Sequence, residues 1–258
     1  MRKHWHLTRF EKNVNNHIRG ILESIKYPAF EKRSDLSASD GQYSYMNTAG
    51  IGPCLKTAQK ETFRYSEFLT GLGLLSGEGL AHYYTAPGVF KEYISRIIKC
   101  KPSEITFFQN SSQAINAVLG SLDLTSKDVI LTSDQEHPSG YLPLKNLSER
   151  FGTTVYFVPY KKPMSFLNSF ESIYKLSKDK IKLVFLSLAS YSSGNILPVN
   201  EILSMIDRSK TLVYVDAAQY AGLHSIDLSG MKVDFLAFRA TSGITGPWEQ
   251  ACSMSVKG

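Results

Sequence analysis

Four short polar stretches each follow directly on an apolar run, and they hold the residue types that could do chemistry. Asn110-Ser111-Ser112-Gln113 comes after the run at 105–108, and Asp134-Gln135-Glu136-His137-Pro138-Ser139 after the run at 128–132. Ser187, Ser190, Ser192, Ser193 and Gly194 cluster at and beyond the end of 182–188, and Asp216-Ala217-Ala218-Gln219 follows 212–215. Ser111 and Ser112 at a helix start, with free N–H groups at the positive end of the dipole, make an anion site, although serine there often serves only as a cap. His137 after a strand can stack on a flat ring, act as acid or base, or be a hydrogen-bonded loop residue. Glu136 beside it reads as a surface or loop carboxylate. Asp216, emerging from an apolar strand, loses solvation and therefore favours a cationic partner; capping the next segment is an equal alternative. Ala217-Ala218 would let a ligand approach, and the serine cluster offers short polar groups and a tight turn before Pro198.

The elements that must position these residues are legible from residue 103 onward. Strands are expected at 105–108, 128–132, 153–158, 182–188, 212–215 and 233–238, with helices at 113–122, 144–151, 166–176 and 199–206. Each strand is an apolar run rather than an apolar/polar alternation, the mark of a mainly parallel sheet covered on both faces. In such sheets ligands bind at the carboxyl ends of the strands, where the four polar stretches lie. Upstream, residues 7–25 carry apolar positions at helical spacing, 31–44 read as a loop, and a helix is expected at 55–69. A glycine-rich stretch at 71–79 leads to a helix at 87–99 with Pro87 in its first turn.

The 258 residues are 43% hydrophobic and 20% charged, enough to bury a core and unremarkable for a globular protein. No apolar run is long enough to cross a membrane, and no apolar segment follows the basic N-terminus, so the expectation is a cytoplasmic protein without a signal peptide. The net charge of +6 is spread thinly, with Lys32-Arg33, Lys161-Lys162 and Lys178/Lys180/Lys182 the densest groups. That pattern suits a solvated face or an anionic ligand better than nucleic acid. Cys54, Cys100 and Cys252 are far apart, which argues against a zinc site or a disulfide scaffold.

In this order and at these strand ends, the segments resemble the large domain of the class V aminotransferases, fold-type I pyridoxal-phosphate (PLP) proteins that include cysteine desulfurases and isopenicillin-epimerase-like enzymes. The matching stretches are Tyr45–Pro53, Glu104–Phe107, Ser111–Asn116, Glu136–Ser139, Ser193–Val199, Val215–Gln219, Asp234–Phe238 and Gly246-Pro247. The resemblance implies a three-layer α/β/α sandwich over residues 43–258, with 1–42 as a separate helical and loop segment. It also implies that Ser111 and Ser112 hold the PLP phosphate, His137 stacks on the pyridine ring, Asp216 binds the protonated ring nitrogen and Gln219 the phenolic oxygen. Asn47, Thr48, Ala49 and Gly50 would border an amino-acid substrate, and the family's sites lie at homodimer interfaces.

The chain departs from the family where the cofactor-bonding lysine is expected. The family reads Ser-Gly-His-Lys before a short gap and Gly-Pro; here the same spacing holds Arg239-Ala240-Thr241-Ser242, then Gly246-Pro247. A serine hydroxyl cannot form the Schiff base that a lysine amine forms, and it is a poor base without an activating partner. Arg239, a permanent cation, stands at the phosphate-contacting serine; it either binds PLP without a covalent link or fills the anion pocket itself. Sixteen residues follow Ser242, whereas the family continues into a smaller C-terminal domain, so the large domain alone is expected. These departures imply a PLP-binding protein that is inactive alone or a partner subunit. The alternative is an active transferase, lyase or epimerase whose lysine comes from another chain.

Overall fold

The computed structural model describes residues 55–73 and 75–239, the backbone of 251–255, and positions 16, 50 and 52. The helix expected within residues 7–25 and the loop at 31–44 lie outside the described residues. The chain divides into two compact units, Met1–Tyr45 with Cys54–Ser103, and Met46–Pro53 with Glu104–Gly258.

In the smaller unit, α1 (Lys56–Leu72) ends at Gly73, whose positive φ of 72° lets its N–H reach Leu69 O at 3.1 Å. The second helix, α2 (Gly77–Ile98), begins ten residues before the expected start, and Pro87 lies inside it rather than in its first turn. Ser76 caps the helix by accepting from Gly79 N–H at 2.9 Å, with Glu78 favourably placed in the first turn. Burial of Ala81, Ala86 and Val89 then outweighs the poor helix propensity of the glycines and proline.

The larger unit runs β1 (Ile105–Phe108), α3 (Ser111–Gly120), β2 (Val129–Ser133), α4 (Pro138–Phe151), β3 (Thr154–Val158), α5 (Pro163–Ser177), β4 (Ile181–Ser187), α6 (Val199–Met205), β5 (Leu212–Asp216), β6 (Phe235–Arg239) and β7 (Ala251–Ser255). The sheet order is β1-β7-β6-β5-β4-β2-β3, and all neighbours are parallel except β7, which is antiparallel to β1 and β6. The α/β class with a mainly parallel sheet is therefore as expected. The expected elements had no counterpart to β7: Ala-Cys-Ser-Met-Ser carries no apolar run, and pairing on both sides makes it a strand.

Every residue of β2 is buried, as are all of β4 except Lys182. On one face Ala114, Ile115 and Leu119 of α3 and Leu144 and Leu147 of α4 pack on Leu183, Phe185, Tyr214 and Ala237. Strand alternation turns Val184, Leu186, Val213 and Val215 to the other face, and all four are fully buried. Helix α5 connects β3 to β4, with its Phe166 and Phe170 fully buried.

Helix α4 starts at Pro138, not at 144, because Pro138 takes the first helical position, where a missing N–H costs nothing. Gly140 in its first turn lies against the sheet: a Cβ there would fall 2.7 Å from the Phe185 ring. Gly140→Ala is expected to destabilise the fold by about 1–3 kcal/mol through overpacking. Urea unfolding checks this, and an unchanged midpoint would mean that Phe185 has room to move.

Candidate cofactor site

Ser133, Ser187, Asp216 and Arg239 are the last residues of β2, β4, β5 and β6. A parallel strand buried on both faces satisfies polar side chains most readily at its ends, and these four ends lie along one edge of the sheet. Above them is a cavity lined by Ser111, Ser112, His137, Asp216, Gln219 and Arg239, with Ser139, Ser187, Ala189, Tyr191 and Ala218 completing the wall. The six residues expected to contact a cofactor are thus brought together. Of the expected substrate loop, only Gly50 falls within the described residues, in a half-buried turn. Asn47, Thr48, Ala49, Thr241, Ser242 and Gly246-Pro247 lie outside them.

One end of the cavity is the start of α3. Asn110 caps that helix by accepting from Gln113 N–H at 2.8 Å, and the Gln113 side chain accepts from Gln109 N–H at 2.9 Å. The hydroxyls of Ser111 and Ser112 have no partner among the described residues, so they and the helix dipole are free to meet an anion. Arg239 adds a fixed positive charge to the cavity wall.

His137 is the N-cap of α4. Its Nδ1 accepts from Ser139 N–H at 3.1 Å and lies 2.7 Å from Ser139 Oγ. Burial, aided by the charge of Arg239, lowers its pKa and favours the neutral ring. Tyr191 meets that ring edge-on, with centroids 4.8 Å apart and planes at 84°. Tyr191 was not among the expected site residues; the serine-rich loop that carries it was the available signal. A second brace, Ser193 Oγ donating to Gln135 Oε1 at 3.1 Å, ties that loop to the segment before His137.

Asp216 is 5% exposed, and its carboxylate receives one hydrogen bond among the described residues, from Ala218 N–H at 2.9 Å. Burial raises its pKa from 3.8 to about 6, against the lowering effect of that bond. A carboxylate so poorly compensated is suited to a cationic hydrogen-bond donor. Free serine hydroxyls, a neutral flat ring, small Ala218 and this carboxylate all line the one cavity, and they fit the phosphate, ring face and protonated ring nitrogen of PLP.

Glu136 corrects the expectation of a surface carboxylate. It is 6% exposed, and its Oε1 accepts from Ser133 Oγ at 2.5 Å and Ser187 N–H at 3.1 Å, while Oε2 accepts from Ser187 Oγ at 2.6 Å. Its burial depends on Ser187, fifty-one residues away, which local sequence does not reveal.

Residues 82–247 match the family model for class V aminotransferases. The chain belongs to the class V aminotransferase family. Among curated proteins it is 31% identical to a probable cysteine desulfurase of Halalkalibacterium halodurans over 152 residues, 57% of this chain and 37% of that protein. It is also 31% identical to one of Methanothermobacter thermautotrophicus over 171 residues, 65% of this chain and 42% of that protein. This class V chain spans about two fifths of the length of these curated relatives. Among solved structures, the cystine C-S lyase C-DES in complex with its product cysteine persulfide superposes with a TM-score of 0.77 at 25% identity, covering 84% of this chain and 58% of that one. A lysine-to-alanine mutant of C-DES, with glycine covalently linked to the PLP cofactor, gives a TM-score of 0.75 at 25% identity, covering 84% and 57%. The class V chain is therefore a cysteine-desulfurase-like protein of a PLP-dependent family, with an α/β fold of the same type.

The raised pKa of Glu136 has a consequence for stability. Burial lifts it from 4.5 to about 7, the bonds from Ser133 and Ser187 oppose the rise, and the Asp216 carboxylate adds to it. Between pH 4.5 and 7 the folded state therefore holds a proton that the unfolded chain has released. The stabilisation is present below pH 4.5 and is lost as pH rises through 7. Thermal melts across that range are expected to show a Tm falling with pH, with a flatter profile for Glu136→Gln. Equal slopes for the two proteins would contradict the assignment.

Proposed function

We propose that the chain binds PLP, or a related anion, without a covalent bond to lysine, and is inactive alone or serves as a partner subunit. The observation that supports this most is the meeting of Ser111, Ser112, His137, Asp216, Gln219 and Arg239 on one cavity, combined with serine at position 242.

When bound, PLP supplies a protonated ring that draws electrons from an attached amino acid. Asp216 holds a proton between its carboxylate and the ring nitrogen, so its loss of solvation is offset there. His137 would stack on the ring, Gln219 would hydrogen-bond its phenolic oxygen, and Ser111, Ser112 and Arg239 would hold the phosphate. Ser242 has no amine to bond the cofactor and no basic nitrogen to carry a substrate proton. The C-DES lysine-to-alanine mutant, with glycine covalently linked to its PLP cofactor, supports a reading in which PLP is held in such a fold while bonded to an amino acid. The alternative is an active transferase, lyase or epimerase acting on an amino acid, with the lysine supplied by a second chain in a cytoplasmic homodimer or heteromer.

Titration of purified protein with PLP, followed by visible spectroscopy before and after borohydride, tests the proposal. Binding is expected without a protein adduct fixed by borohydride, and Ser242→Lys is expected to create one. Asp216→Ala and Arg239→Ala should each weaken binding about tenfold or more, the scale of a lost charged hydrogen bond. A reduced adduct on the natural chain would show that some lysine serves the cofactor. No binding at all would count against even a non-covalent PLP site.

A further inference from the structure

Glu136 is the one buried carboxylate at the cavity edge whose hydrogen bonds, among the described residues, all go to strand ends. Ser133 closes β2 and Ser187 closes β4, the strand beside it in the sheet. One carboxyl group therefore bridges two strands at the level where the cavity begins. Ser187 also stands opposite Asp216 in the β4–β5 register and lines the cavity itself. On the other side, Glu136 directly precedes His137, whose carbonyl accepts from Gly140 and Tyr141 N–H at 2.8 and 2.9 Å in the first turn of α4.

We infer that Glu136 is a positioning residue: by tying the ends of β2 and β4 together, it holds Ser187 beside Asp216 and sets the place of His137 at the start of α4. It touches no ligand and acts through those two residues. Its reach matters more than its charge. Glutamine at 136 keeps an oxygen to accept from Ser133 Oγ and Ser187 N–H, and its amide can donate to Ser187 Oγ, which reverses its role. Aspartate keeps the charge but is one methylene shorter and cannot span both strands from the same backbone position. The consequence for PLP affinity rests on the proposed cofactor site; the positioning itself does not.

Amide hydrogen exchange on the ligand-free full chain, read by mass spectrometry, tests the positioning, with PLP titration as the second readout. Glu136→Gln is expected to match the natural protein in both. Glu136→Asp is expected to speed exchange about tenfold at the end of β4 and the first turn of α4, and to weaken PLP binding by a similar factor. Where the aspartate variant does not fold, Ser133→Ala removes the β2 anchor alone and is expected to give the same local loss. Unchanged protection in the shortened or anchor-less variant would overturn the inference. So would a glutamine variant that loses as much as aspartate, since charge rather than reach would then hold the site. If the natural chain binds no PLP, the cofactor reading fails by itself, and the exchange comparison still decides the role of Glu136.

Discussion

A parallel strand covered on both faces satisfies polar side chains most readily at its ends, and the larger unit is built around that preference. β2 and β4 are buried almost throughout. Their terminal residues Ser133 and Ser187, like Asp216 of β5 and Arg239 of β6, are polar, while the hydroxyls of Thr132 and Tyr214 inside β2 and β5 are buried without a partner among the described residues. Because the strands are parallel and adjacent, those ends fall along one edge, and Ser187, Asp216 and Arg239 line a single cavity. The helices add what strands cannot supply: α3 presents an N-terminus, and α4 presents the imidazole that caps it.

The cavity carries both signs of charge. Arg239 and the start of α3 line it and are receptive to an anion. Asp216, also in the lining, is buried and raised in pKa, as is Glu136 near it, and suits a proton or a cationic donor. Glu136 meets its need internally, through three hydrogen-bond donors from the strand ends. Asp216 has one such donor among the described residues and faces the cavity. That combination suits a ligand with an anionic group and a protonated one, in line with membership of a PLP-dependent family.

The proposal that any bound PLP is held without a covalent link rests on sequence spacing: the interval between Phe238 and Gly246-Pro247, where the resemblance places a lysine, holds Ser242. A hydroxyl cannot replace a primary amine in forming an imine, whereas binding by charge, shape and hydrogen bonding from the strand ends needs no amine.

The apolar runs and the polar residues after them were enough to specify a mainly parallel α/β sheet and to nominate Ser111, Ser112, His137, Asp216, Gln219 and Arg239. Burial of a strand on both faces leaves a local signature, so such elements are readable one at a time. Three features were not readable that way. β7 is a strand because β1 and β6 pair with it, although its own residues carry no apolar pattern. Helices α2 and α4 run past glycine and proline because a cap and tertiary burial outweigh propensity. Glu136, local in sequence to His137, became a buried clamp only when folding brought Ser187 to it from another strand. Residue types and their order determined which groups stand at the strand ends; the tertiary structure alone decided which of them meet, since hydrogen bonds between distant segments have no counterpart in local spacing.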